Sequence, residues 1–222
     1  MGKLYLVRHA QASFGFGDYD KLSDFGKKQT AFIPKHFTDK YDALYSGDMV
    51  RHRETVEGAF GAVQQQLITG FNEFDHIGVL KVHIPEIMEP EKVMAIVSVQ
   101  PDPMKFMEQQ FEQAMLKWMN EEGPSVYAEP YAGFKQRCIE ALNTVVEAAR
   151  ANKHDEVVVV TSGGVISLLM GYITGLTDPQ TIPLNTSIAN GSVTMFNFNN
   201  EKISLGYFNN YSHLPKEMVT FI

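Results

Sequence analysis

Arg8 and His9 stand side by side, immediately after the apolar run Leu4 to Val7. A guanidinium offers a planar fork of donors with a fixed positive charge, and an imidazole can attack or move a proton near neutral pH. Two further stretches complement them. Tyr45-Ser46-Gly47-Asp48-Met49-Val50-Arg51 carries a second arginine, and Val160-Thr161-Ser162-Gly163-Gly164 carries a hydroxyl and a glycine pair. A glycine turn that opens a helix presents backbone N–H groups and the positive end of the helix dipole to an anion. Brought together, these groups make a phosphate site before any other kind. Taken singly, each has a plainer reading. Arg-His after a strand suits a surface loop, Arg51 a solvated helix face, and Thr-Ser-Gly-Gly an ordinary helix cap.

The elements around the three stretches decide whether they meet. Leu4 to Val7 and Tyr41 to Tyr45 read as short buried strands, and Glu156 to Val160 as a continuous β-branched strand. Ser23 caps a helix expected to run to about Phe37, with Pro34 as a bend or early stop. Helical patterns also cover Met49 to about Gln66, Phe134 to Arg150 and Val165 to Ile173. Phe14 to Asp20, rich in glycine and aromatics, reads as a loop. Val193 to Phe198 and Ile203 to Phe208 flank Asn199-Asn200-Glu201-Lys202 as a hairpin. Strands alternating with helices imply an α/β fold, a three-layer αβα sandwich whose central sheet is mostly parallel. In such a sheet ligands bind beyond the carboxyl ends of the strands. All three stretches then face one sheet edge.

Residues 81–130 differ in character. They hold Pro85, Pro90, Pro101, Pro103, Pro124 and Pro130, many Met and Gln, and the only Trp. Within them Met104, Met107, Phe111, Ala114, Met115 and Trp118 have the spacing of one amphipathic helix from Pro103 to Asn120. The stretch reads either as a helical insertion covering the mouth of the main fold or as an ordinary connecting helix. The domain expectation is a single domain over 1–222 with a helical insertion at about 81–130.

The chain has 222 residues, 44% of them hydrophobic, enough for one substantial core. Nineteen Lys+Arg against 26 Asp+Glu give a net charge of −7, which argues against nucleic acid and anionic membrane as partners. An acidic chain that binds phosphate must concentrate its arginines at the site. The start, Met-Gly-Lys-Leu-Tyr-Leu-Val-Arg, is too short and polar for a signal peptide, and Leu6 stands where myristoylation needs Ser or Thr. One cysteine, Cys138, fits a reducing compartment, so a cytoplasmic location is expected. His9, His36, His52, His76, His83, His154 and His213 include no His-x-x-x-His pair, so neither a metal site nor a cofactor is expected.

Leu4-Tyr5-Leu6-Val7-Arg8-His9-Ala10-Gln11-Ala12 resembles the signature of the histidine phosphatase (phosphoglycerate-mutase-like) superfamily, whose usual form is Arg-His-Gly. Leu22-Ser23-Asp24-Phe25-Gly26-Lys27-Lys28-Gln29 is similar to its Leu-Ser/Thr-x-x-Gly-x-x-Gln segment. Arg51-His52-Arg53-Glu54-Thr55 resembles the second arginine motif, Phe71-Asn72-Glu73 the segment bearing the acidic proton donor, and Asn190-Gly191-Ser192-Val193 a late Asn-x-Ser-Val element. The resemblance implies a phosphomonoesterase acting on a small phosphate ester through a phosphohistidine on His9. It implies Glu73 as the acid, with Asp75 as the fallback, and Arg8, Arg51 and Ser162 as phosphate-binding residues.

The chain departs from that pattern at Ala10, in place of glycine, and at Gly15, where mutases often have Asn. The larger departure is Thr161-Ser162-Gly163-Gly164, where the family has Ser-His-Gly-Gly and uses that histidine as a second cationic donor. Losing such a donor costs about 10² to 10³ in rate. His52, His76 and His213 are candidates to compensate, and nothing in the sequence places them. Mutase activity, which needs both histidine positions, is not expected. Two readings stay open: a phosphatase of low or narrow activity, and a catalytically weak or inactive module that binds a phospho-ligand or a protein. Ser162 is expected at a cleft and not in the core. On that footing Ser162→His restores an imidazole and raises aryl phosphate hydrolysis about tenfold, roughly 1.4 kcal/mol of barrier.

Overall fold

The strand Glu156–Thr161 is apolar along most of its length because it lies inside a sheet, where parallel strands are covered on both faces. Val157, Val158, Val159 and Val160 are all wholly buried. The computed structural model that contains it describes residues 1–13, 20–37 and 40–221. The expected loop therefore lies almost wholly outside the described residues, and Gly15 with it.

The described chain divides into two compact units, Met1–Glu73 with Arg137–Ile222, and Phe74–Gln136. The second is wider at both ends than the 81–130 stretch that the prolines delimit.

The first unit holds β1 (Gly2–Arg8), α1 (Asp24–Thr30), β2 (Ala43–Ser46), α2 (Val50–Phe60), β3 (Gln66–Leu67), β4 (Glu156–Thr161), α7 (Gly163–Thr174), α8 (Ile182–Ser187), β5 (Val193–Phe198) and β6 (Ile203–Asn210). The second holds α3 (His76–His83), α4 (Pro90–Ser98) and α5 (Pro103–Met119). Between α5 and β4 runs α6 (Tyr131–Asn152), which gives its first residues to the second unit and the rest to the first.

The fold is α/β, with a mixed six-stranded sheet in the order β3-β2-β4-β1-β5-β6. β1, β2 and β3 lie in the parallel part with β4, while β5 and β6 run antiparallel as the expected hairpin. The register aligns the carboxyl ends. Arg8 pairs with Thr161, Val7 with Val160, and Ser46 also with Val160. The three motif-bearing junctions thus leave the sheet at one edge, as the strand pattern implied.

Several boundaries differ from the sequence reading, each for a physical reason. α1 ends at Thr30, the early stop that Pro34 was expected to allow, because its ring would collide with the carbonyl four residues back, and Ile33–His36 becomes a 3-10 turn. α2 stops at Phe60 and not Gln66, because Gly61 takes the left-handed side of backbone space (φ 78°) that favours glycine. α7 starts at Gly163, so the glycine pair is its first turn. α3 and α4 were not foreseen.

In the second unit α5 buries Ala114, Met115 and Trp118. The indole packs on Phe74, Tyr131 and Phe134 at ring separations of 4.8, 5.1 and 5.5 Å, and its N–H donates to the Glu129 carbonyl. Among the described residues no helix is long and apolar enough to cross a membrane.

Candidate active site

Beyond Val7 the chain leaves the sheet as a braced turn. The His9 N–H donates to the Thr161 carbonyl at 2.8 Å, and the Arg8 N–H to that of Ser192 at 3.0 Å. Ala10, wholly buried, donates to Thr55 Oγ1 at 3.1 Å, and Thr55 in turn donates to the Arg51 carbonyl at 2.7 Å. Among the described non-glycine residues only Lys153 and Asn209 have positive φ, so Ala10 takes the place of glycine in ordinary backbone. Gln29, also wholly buried, accepts from the Gln11 N–H at 2.7 Å and donates to the Met218 carbonyl and Thr220 Oγ1. The Gly191 N–H closes the turn on the Arg8 carbonyl at 3.0 Å. The Leu22–Gln29, Arg51–Thr55 and Asn190–Val193 segments therefore brace the loop that carries Arg8 and His9.

His9 is almost completely buried, and its Nδ1 lies 2.8 Å from the Ala10 carbonyl oxygen. A carbonyl can only accept, so Nδ1 carries the hydrogen and Nε2 keeps its lone pair. Burial, then the charges of Arg51 and Arg8, then His52, hold the pKa of His9 well below the usual histidine value, against the opposing hydrogen bond to Ala10. The ring is thus neutral at neutral pH, the form an imidazole nucleophile requires.

Arg8 donates through Nη1 to the carbonyl oxygens of Ile188 and Phe221, the latter at 3.0 Å. Arg51, 2% exposed, meets Asp20 Oδ1 at 3.0 Å. Glu73, half-buried, accepts from the Gly164 N–H at 2.9 Å, which puts its carboxylate on the first turn of α7. Its segment is held by Arg137, whose Nη1 donates to the carbonyls of Gly70 and Asn72 at 3.1 and 2.7 Å. Asp75, the fallback acid, is exposed and caps α3 through the Gly78 N–H.

Ser162 is wholly buried, and its Oγ lies 2.7 Å from His52 Nε2. The expectation of an open position there is corrected, because the space a new histidine would need is filled by His52. The rings of His52 and His9 are 5.7 Å apart with their planes 36° from parallel. Burial, then the charge of Arg51, lowers the pKa of His52 well below its usual value. His213 belongs elsewhere, with Nε2 at 3.0 Å from the Gly191 carbonyl and its ring 5.1 Å from His36. His76 opens α3 in the second unit.

Three participants escaped the sequence reading: Asp20 against Arg51, Arg137 behind the Glu73 segment, and the His52–Ser162 contact. Each joins residues far apart in the chain with no spacing rule to announce it. Among the described residues no group of three or more His, Cys, Asp or Glu could hold a metal ion.

A family model described as the histidine phosphatase superfamily (branch 1) matches residues 98–211, just over half of the chain. No curated protein sequence matches it. Among solved structures, a mutant phosphoserine phosphatase from Entamoeba histolytica in complex with phosphoserine superposes with a TM-score of 0.66 at 18% identity, covering 97% of this chain and 100% of that one. A phosphoglycerate mutase from Bacillus anthracis gives 0.65 at 15% identity over 96% and 94%. The alpha-ribazole phosphatase from Shigella flexneri gives 0.62 at 15% identity over 94% and 96%. At these identities the likeness is one of fold.

Proposed function

This chain belongs to the histidine phosphatase superfamily (branch 1), and from that premise we propose that it is a phosphomonoesterase whose nucleophile is His9. The observation that carries the reading is the state of His9. It is a buried, neutral ring with Nδ1–H tied to Ala10, Nε2 open, and two arginines close enough to oppose its protonation. The substrate class is a small phosphate ester, in keeping with relatives of this fold that act on phosphoserine or alpha-ribazole phosphate.

In the first step Nε2 of His9 attacks phosphorus, a P–N bond forms, and the P–O bond to the leaving group breaks. The departing alkoxide takes a proton from the Glu73 carboxyl group. In the second step water attacks the phosphohistidine, Glu73 accepts its proton, the P–N bond breaks, and inorganic phosphate leaves. Arg8 and Arg51 stabilise the charge on the equatorial oxygens throughout. The work falls to arginines, so a chelator leaves turnover unchanged. Loss in EDTA restored by a divalent ion points to another mechanism.

A second reading, a weak or inactive phospho-ligand-binding member of the same fold, is favoured by Asp20, which already occupies Arg51. Aryl phosphate hydrolysis, acid-labile and alkali-stable phosphoramidate on His9 after rapid quench, and loss of both in His9→Ala decide for the enzyme. Turnover undiminished in His9→Ala sinks the assignment, and phosphate protection against unfolding without turnover decides for the binder.

A further inference from the structure

His52 is the third residue of α2, directly after Arg51, and its ring is wholly buried. Its Nε2 touches Ser162 Oγ at 2.7 Å, and the ring lies 5.7 Å from His9. Its Nδ1 has no hydrogen-bond partner among the described residues. That nitrogen faces Gly47, where a Cβ would stand 2.3 Å from it, so only glycine at 47 leaves room for the ring.

The tautomer follows from these facts. A buried N–H with no acceptor costs about 1 to 3 kcal/mol and is rarer in folded proteins than an under-satisfied acceptor. The hydrogen therefore sits on Nε2 and is donated to Ser162 Oγ. The hydroxyl hydrogen of Ser162 is then not spent on His52, and the hydroxyl makes no other hydrogen bond among the described residues. It is left for a further acceptor, and the His9 ring lies 5.7 Å from that of His52.

We infer that His52 and Ser162 together do the work of the family's second histidine. Ser162 donates its hydroxyl hydrogen to a non-bridging oxygen of the phosphoryl group moving onto His9, and His52 is the positioning residue that aims it. The inference rests on the phosphatase reading above. It accounts for the departure at 162. The imidazole that the resemblance expects at 162 is supplied from 52, against the Ser162 hydroxyl. Held neutral by burial and Arg51, the pair brings direction and polarity, while the formal charge comes from the arginines.

The test is a set of variants assayed on an aryl phosphate, each first checked for cooperative unfolding. Ser162→Ala and His52→Leu are each expected to lose about 10² to 10³ in kcat, by the usual worth of one transition-state donor. Their double variant loses no more than the worse single, since the two act as a unit. His52→Gln, which keeps an N–H donor near the Nε2 position, retains at least tenfold more activity than His52→Leu. Ser162→His alone has no room and loses activity. His52→Ala with Ser162→His, which clears the space, recovers at least tenfold over His52→Ala.

Wild-type kcat in His52→Leu, additive losses, or His52→Gln no better than His52→Leu overturns the inference. Where His52→Leu does not fold, the comparison of Ser162→Ala with His52→Gln carries it. If the wild type turns over nothing, the phosphatase reading falls and the pair is read on inorganic phosphate binding. Affinity reduced tenfold in Ser162→Ala and largely kept in His52→Gln supports it, and unchanged affinity in Ser162→Ala overturns it.

Discussion

Asp20 meets Arg51 and the first turn of its helix with separate oxygens: Oδ1 accepts from the Arg51 guanidinium at 3.0 Å, and Oδ2 accepts the Val50 N–H at 3.1 Å. The carboxylate takes the Nη1 donor of Arg51, so on the proposed function ligand and Asp20 compete for that guanidinium. Asp20→Asn removes the competing charge but keeps the shape. The expected result is inorganic phosphate affinity raised several-fold. The unliganded protein loses about 1 kcal/mol, a modest figure because Asp20 is half-exposed. Thermal unfolding with and without phosphate reads both effects, and unchanged affinity means that Arg51 does not meet the anion.

Glu73 is expected to act on the leaving group, and a leaving group that departs easily needs no acid. Glu73→Gln can still accept the Gly164 N–H but has no proton to give. Hydrolysis of an alkyl phosphate should fall at least tenfold further than that of a nitrophenyl phosphate. Equal losses on both substrates would assign Glu73 to holding α7.

Much of this fold is legible because its cause is local. The β-branched run at Val157–Val160, the apolar run at Leu4–Val7 and the hairpin at Val193–Phe198 depend on period and burial that neighbours in sequence already express. The end of α2 was less legible than that of α1, which Pro34 announced, since Gly61 acts through a single dihedral that a periodic pattern passes over. In the site, Arg8, His9 and Arg51 stood out by type. Yet the partner of Ser162 lies 110 positions away, and that of Arg51 31 positions away. A hydrogen bond between such residues is set by packing of the whole unit and leaves no mark in either local sequence.

Stability should fall in acid because several histidines are buried neutral. His36 is pushed down to about 4 by burial and by His213, and His9, His52 and His213 are also lowered. Below about pH 6.5 the unfolded chain takes up protons that the folded chain refuses. The stabilisation is therefore present above pH 6.5 and, for His36, is lost progressively as pH falls toward 4. Urea unfolding at pH 7.5, 6.5, 5.5 and 4.5 should show this decline, and a shallower one in His36→Gln. An equal slope in both proteins would remove His36 from the account.

Gln29 tests whether the brace behind His9 matters to the chemistry. Its Oε1 accepts from the Gln11 N–H at 2.7 Å, and its Nε2 donates to the Met218 carbonyl at 2.7 Å and Thr220 Oγ1 at 2.9 Å. Gln29→Glu keeps the size and the first bond. It turns the donor into an oxygen facing the Met218 carbonyl, two acceptors with no hydrogen between them, in a wholly buried position. A buried charge without its donor partner costs about 3 kcal/mol, unless the group takes up a proton. Protonation restores a donor at that oxygen, so the variant should regain part of its stability as pH is lowered. Its stability profile thus slopes opposite to the histidine trend above. Because Gln29 ties the loop after His9 to the segment of Met218 and Thr220, and the variant cuts that tie, kcat should fall even where phosphate binding at Arg51 persists. A variant as stable as wild type at pH 7.5 would mean that the C-terminal segment can move away from Gln29 at little cost. Full kcat would mean that the loop needs no such brace.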